Sequence, residues 1–145
     1  MTRWLLRFVV ALAALVLPAR ALAQGHANVT AQLDQDTLQV GEWVTLTLQA
    51  TTDSDMPSDP QPGATAGFVV RATGEMPMHS SWNINGVRTE RFQYTATWQL
   101  RPTKTGTFTI SPPSVAVGKR RIAAKPLKIT VVPAGSLPSP QRQAP

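Results

Sequence analysis

His26 and His79 are the only imidazoles in this chain, and with no cysteine present they set the limits of its chemistry. They lie far apart in sequence, and neither has a second His or a Cys at the spacing a transition-metal site requires. No metal and no cofactor is expected. His79, Ser80 and Ser81 adjoin one another, as a base beside a nucleophile would. Neighbours on a strand point to opposite faces, however, and no G-x-S-x-G turn is present to expose a serine. Asp53, Asp55 and Asp59 alternate as calcium ligands do, but the run lacks the glycine and closing glutamate of an EF-hand loop. These aspartates are read as a solvated loop. A hydrolase would need partners distant in sequence, so no catalytic residue is assigned and a non-enzymatic protein is expected.

Binding leaves more candidates. Lys119, Arg120, Arg121, Lys125 and Lys128 form one basic cluster, a composition that meets phosphate groups of nucleic acid or lipid. Export disfavours nucleic acid, and charge that keeps an edge strand from aggregating is the simpler reading. Trp98 shares the parity of Phe92, Tyr94 and Leu100 and is assigned to the core. Trp43 falls on the parity of Thr45, Thr47 and Gln49, which leaves its ring partly exposed. Trp43 and Trp82 are the candidate partner contacts. Side by side on one face they would favour a carbohydrate- or cell-wall-binding module, the alternative to a protein-binding one. Asn28-Val29-Thr30 matches the N-glycosylation pattern, a three-residue match that occurs readily by chance.

The start of the chain places these residues outside the cytoplasm. Arg3 and Arg7 precede an apolar run from Phe8 to Leu17, followed by Pro18 and Ala21-Leu22-Ala23, the three regions of a secretory signal peptide. The run is about half the roughly 20 residues a membrane helix needs. Residues 1–23 are therefore expected to be removed after Ala23, leaving a mature chain with no membrane span. Loss of Arg3, Arg7 and Arg20 leaves 11 basic against 8 acidic residues, and the formal charge falls from +6 to +3. Without disulfides, an exported domain must be held by its core. The expected location is the periplasm or the secreted fraction of a bacterial envelope.

Residues 24–132 are expected to form one domain, and 133–145 (PAGSLPSPQRQAP) a Pro-rich linker or tail. Phe92, Tyr94, Ala96, Trp98 and Leu100 alternate with Arg91, Gln93, Thr95, Thr97 and Gln99, the period of a strand with one apolar face. Val44, Leu46, Leu48 and Ala50 repeat the pattern after Gly41, and Asn28 to Leu33 is read as a further strand. Asp and Pro dominate Thr51 to Gly67, which predicts a long surface connection. Phe68 to Arg71 resumes as a short strand. Asn85-Gly86 predicts a type I′ hairpin turn. Arg101-Pro102 and Lys104-Thr105-Gly106 make a corner, Phe108 and Ile110 alternate up to Pro112-Pro113, Val115 and Val117 precede the Gly118-Lys119 turn, and Leu127 to Val132 closes the domain. About eight short strands with no helical period predict an all-β, antiparallel immunoglobulin-like β-sandwich, with a small barrel as the alternative.

The run L-x-P-x-K-x-G-x-F-x-I-x-P, Leu100 to Pro112, stands with Leu38 to Leu48, Gly67 to Val70, Ser80 to Gly86 and Tyr94 to Leu100. Together they resemble the first extracytoplasmic domain of the BatD family, the oxygen-tolerance or aerotolerance proteins. The shared residues shape turns and fill a core, so they specify a fold rather than a reaction. The resemblance implies membrane-anchored, multi-domain scaffolds that act beside von Willebrand factor A and tetratricopeptide-repeat proteins and are linked to oxidative or envelope stress. Here one such domain is seen with no following transmembrane helix, and a truncated or stand-alone member is expected. It would recruit envelope proteins through exposed sheet edges and loops such as Thr51 to Gly67.

Overall fold

The computed structural model describes residues 26–63 and 66–137. The expected signal peptide, residues 1–23, and the end of the Pro-rich tail lie outside the described residues. Ten strands follow in order: β1 (Ala27–Leu33), β2 (Thr37–Gln39), β3 (Val44–Thr52), β4 (Ser58–Gln61), β5 (Phe68–Ile84), β6 (Val87–Pro102), β7 (Gly106–Ile110), β8 (Ser114–Val117), β9 (Arg120–Ala123) and β10 (Leu127–Val132). They build an immunoglobulin-like β-sandwich.

The two apolar alternations that stand out in the sequence form the centre of one layer. Strands β3 and β6 pair antiparallel, setting Leu46 beside Trp98, Leu48 beside Ala96 and Ala50 beside Tyr94. Each pair sets a larger side chain against a smaller one, which lets the facing layer interdigitate. β1 flanks β3 and β5 flanks β6, giving the order β1-β3-β6-β5. The other layer consists of two three-stranded ladders, β2-β10-β7 and β4-β8-β9. It contributes Leu38, Ile110, Val115, Val117, Ile129 and Val131 to a single core with Val44, Leu46, Leu48, Tyr94, Trp98 and Leu100. Full burial of each such aliphatic side chain stabilises by about 1.5–3 kcal/mol over leaving it in water, which is how a cysteine-free domain of this size holds together.

The structure differs from the sequence expectation in three places. β2 pairs parallel with β10, Thr37–Gln39 against Thr130–Val132, so the sandwich is not antiparallel throughout. The Asp- and Pro-rich connection contains a strand of its own, β4, paired with β8. It is held from outside. Arg121 of β9 donates through Nη1 to the Asp59 carbonyl at 3.1 Å and to Ser114 Oγ at 3.0 Å, and through Nη2 to the Asp59 carboxylate. This grip holds Asp59 at φ +47°. Finally, Phe68 to Arg71 is not a separate short strand. β5 runs 17 residues without a break.

Candidate functional site

The length of β5 and β6 produces the most distinctive surface of the molecule. Asn85 and Gly86 take φ of +51° and +79°, so the two-residue turn is of the type I′ form that suits the strand twist. β6 keeps β3 as its second neighbour only as far as Phe92, which pairs with Thr52. Beyond that point His79–Ile84 and Val87–Arg91 continue as a two-stranded finger. Every residue of β5 except Phe68 is exposed.

An irregularity in β5 decides what the finger displays. The register with β6 shifts between Ala72, opposite Trp98, and Gly74, opposite Thr97, leaving Thr73 as an extra residue. Its hydroxyl donates to the Thr97 carbonyl at 3.0 Å, with Thr97 Oγ1 also at 3.0 Å, and so occupies an acceptor that the bulge leaves beside it. Even-numbered residues lie on the core side of the sheet before the bulge, since Val70 pairs with Leu100 and Ala72 with Trp98. After it they face away, since Met76, Met78 and Trp82 pair with Thr95, Gln93 and Thr89. The apolar period of β5 thus changes face at Thr73. Met76 (63% exposed), Met78 (49%), Ile84 (60%) and Val87 (65%) stand in solvent on the outer face beside Trp82. Met76 and Met78 border a shallow depression shared with Gln49, Thr51, Gln93 and Thr95.

The sequence-predicted candidates are distributed over this frame. The Arg91 guanidinium lies over Trp82, 5.6 Å from the ring centroid, and Arg101 over Trp43 at 4.9 Å. Both indoles are partly exposed on the outer face and each carries an arginine. Those arginines are ten residues apart on β6, roughly 33 Å at the rise of an extended strand. Trp43 and Trp82 therefore occupy opposite ends of the sheet and do not form one platform. His79 stacks on Phe92, centroids 4.5 Å apart, with Nε2 3.9 Å from Glu90 Oε1, while Arg88 Nη2 holds the same carboxylate oxygen at 2.8 Å. His26 is fully exposed, with Nδ1 3.7 Å from Asp53 Oδ2. Among the described residues no three His, Cys, Asp or Glu side chains gather in a way that could hold a metal ion.

In the basic cluster, Arg121 is taken up by Asp59 and Ser114, so part of that charge braces β4. Lys125 borders a small depression beside Asn28 to Ala31. At the core boundary of the finger, Tyr94 carries the clearest change in acidity. Burial pushes its phenol up to about 12, reinforced by a hydrogen bond to Glu75 and by the negative charges of Glu75 and Asp59. Of the surface residues, Met76, Met78, Ile84 and Val87 carry no mark in the sequence that separates them from core residues. Gly74 inside a strand pattern is the one local mark of a bulge, and nothing in the alternation itself interrupts.

A family model described as BatD DUF11 like domain matches residues 31–131, from within β1 to within β10. The chain belongs to the BatD family. Among curated proteins none matches it. The turn and core residues that carry the resemblance lie in turns and core in this BatD domain. Thr103 donates from its N–H and its hydroxyl to the Gly67 carbonyl, at 2.9 and 3.0 Å. Gly41 N–H donates to the Pro102 carbonyl at 3.1 Å. The corner after Leu100 is thereby tied to both preceding loops, and Ile110 is buried in the core.

Proposed function

We infer that this BatD domain is a non-enzymatic interaction module of the bacterial periplasm, recruiting or stabilising envelope proteins in complexes that serve oxidative-stress or envelope-stress tolerance. The observation that carries this reading is family membership over residues 31–131, through residues that build turns and core rather than a reaction centre. The surface is consistent with it. A long exposed strand edge beside apolar and arginine side chains offers main-chain hydrogen bonds for affinity and side-chain pockets for choice of partner. The expected partners are von Willebrand factor A or tetratricopeptide-repeat proteins of the envelope.

The test is affinity capture of the tagged full chain from a native envelope extract, with mass spectrometry of what is retained and a Trp82→Ala variant alongside. Recovery of a von Willebrand factor A or repeat protein, diminished in the variant, is the expected result. Recovery of wall fragments alone, or of nothing across a range of salt concentrations, would refute the module reading.

A further inference from the structure

The outer edge of β5 is a row of unused backbone groups whose positions follow from the turn. In a two-residue type I′ hairpin the residues flanking the turn, Ile84 and Val87, exchange both backbone hydrogen bonds. Counting back in steps of two, the even-numbered residues from Met76 to Ile84 direct their N–H and C=O groups at β6. The odd-numbered residues Glu75, Pro77, His79, Ser81 and Asn83 direct theirs away from it. No other strand of the described residues pairs with β5 on that side. Pro77 has no N–H to offer, so it interrupts the edge as an edge proline does. Beyond it, His79, Ser81 and Asn83 present three donors and three acceptors in succession.

We propose that this segment is a self-association site, where β5 of one molecule pairs antiparallel with β5 of a second copy about a two-fold axis at Ser81. Three features favour a second copy. With Ser81 opposite Ser81, His79 lies opposite Asn83 on both sides of the axis, and all six backbone hydrogen bonds form while Pro77 stays outside the paired segment. Between Glu75 and the turn, β5 carries no Lys, Arg, Asp or Glu, so self-pairing sets no permanent like charges against each other. The charged residues of the finger, Arg88, Glu90 and Arg91, sit one strand away on β6. On the outer face the same register sets Met78 against Ile84 and Trp82 against Ser80, aliphatic on aliphatic and the largest ring against one of the smallest side chains. The face switch at Thr73 is what brings these apolar residues to the outer side at the axis. Two molecules so joined share one continuous eight-stranded sheet. The pairing takes up the same β5 edge that a recruited protein's strand would need, so the two uses of that edge exclude each other.

The test is sedimentation equilibrium of the purified full chain from low micromolar to several hundred micromolar. The average mass is expected to rise from one chain toward two. Ser81→Pro removes a donor from the free edge on the same parity that already accommodates Pro77, and is expected to hold the mass at one chain with circular dichroism unchanged. Ser81→Ala keeps the N–H and is expected to associate as the parent does. A second measurement fixes the axis. The chain has no cysteine, and hydrogen-bonded antiparallel partners have Cα atoms about 5.5 Å apart, within disulfide range. Ser81→Cys is therefore expected to oxidise to a covalent dimer, and Thr30→Cys on the opposite edge strand is not. A parent chain that stays monomeric throughout, or a dimer that survives Ser81→Pro, would overturn the proposal. So would a monomeric parent whose captured envelope partner is lost in Ser81→Pro, since that result assigns the edge to a strand of another protein.

Discussion

Tyr94 is the only tyrosine of the chain, which makes its acidity directly measurable. The residue is 7% exposed, and burial, the hydrogen bond to Glu75 and the nearby negative charge all disfavour the phenolate, raising its pKa to about 12. An unperturbed phenol with pKa ~10 would be about 90% ionised at pH 11, whereas one at ~12 would be about 10% ionised. Tyrosinate absorbance near 295 nm, followed from pH 9 to 11 in the folded protein, separates these cases. Unfolding the same sample in urea at pH 11 restores the ordinary value and should release the missing absorbance. The effect on stability has a definite sign. Between the unfolded and folded pKa values the unfolded chain binds fewer protons, so stability falls as pH rises. The contribution is intact below about pH 10, costs about 1.4 kcal/mol by pH 11, and approaches a limit of about 2.7 kcal/mol above pH 12. Comparing the parent with Tyr94→Phe at pH 9 and at pH 11 cancels the titration of lysines. The difference between the two proteins should shift by that amount. A folded-state midpoint near 10, or an unchanged difference, would show that the phenol is solvated and that Glu75 does not hold it as described.

Other perturbations address separate parts of the construction. Leu48→Ala, at a fully buried position between the layers, should cost about 2–5 kcal/mol in urea denaturation, against about 0–0.5 for Thr47→Ala on the outer face. Thr73→Val removes the hydroxyl that serves the Thr97 carbonyl and should cost about 0.5–1.5 kcal/mol by the same assay. Gly86→Ala, at φ +79° with open space around the position, should cost about 1 kcal/mol of hairpin stability from backbone strain alone. Hydrogen exchange should then quicken at the amides of Trp82, Ile84 and Val87 and stay unchanged at Leu46 and Leu48.

Much of this fold is legible in the residue order. The alternation of Val44 to Ala50 and of Phe92 to Leu100 specifies the two central strands and the face each buries. Asn85-Gly86 specifies the turn because few dipeptides tolerate two successive positive φ values. What escaped depends on partners distant in sequence. β2 has only three residues, and its parallel ladder is set by a strand more than ninety positions later. β4 lies in a segment of Asp and Pro whose local preference is for turns. It becomes a strand because β8 offers it a ladder partner and because Arg121 reaches back to Asp59. The bulge at Thr73 is hidden for a different reason. Phe68, Val70, Ala72, Met76, Met78, Trp82 and Ile84 keep one parity throughout, so the pattern reads as a single apolar face. Only pairing with β6 shows that this parity serves two faces in turn. The separation of Trp43 from Trp82 follows from the same pairing, which no local pattern shows.

The parallel pairing of β2 with β10 has a mechanical consequence. The chain enters β2 at Thr37 and leaves β10 at Val132, and in a parallel pair those points lie at opposite ends of the ladder. Tension between the two flanks reaches this pair through β1, and once β1 has parted from β3 it would pull β2 and β10 along each other, straining the Val40–Val132 and Thr130–Asp36 backbone hydrogen bonds together instead of opening them one by one. The paired hairpin β5–β6 lies outside that line of force. A pull transmitted through the chain would leave the finger and its apolar face undisturbed until the β2–β10 clamp gave way.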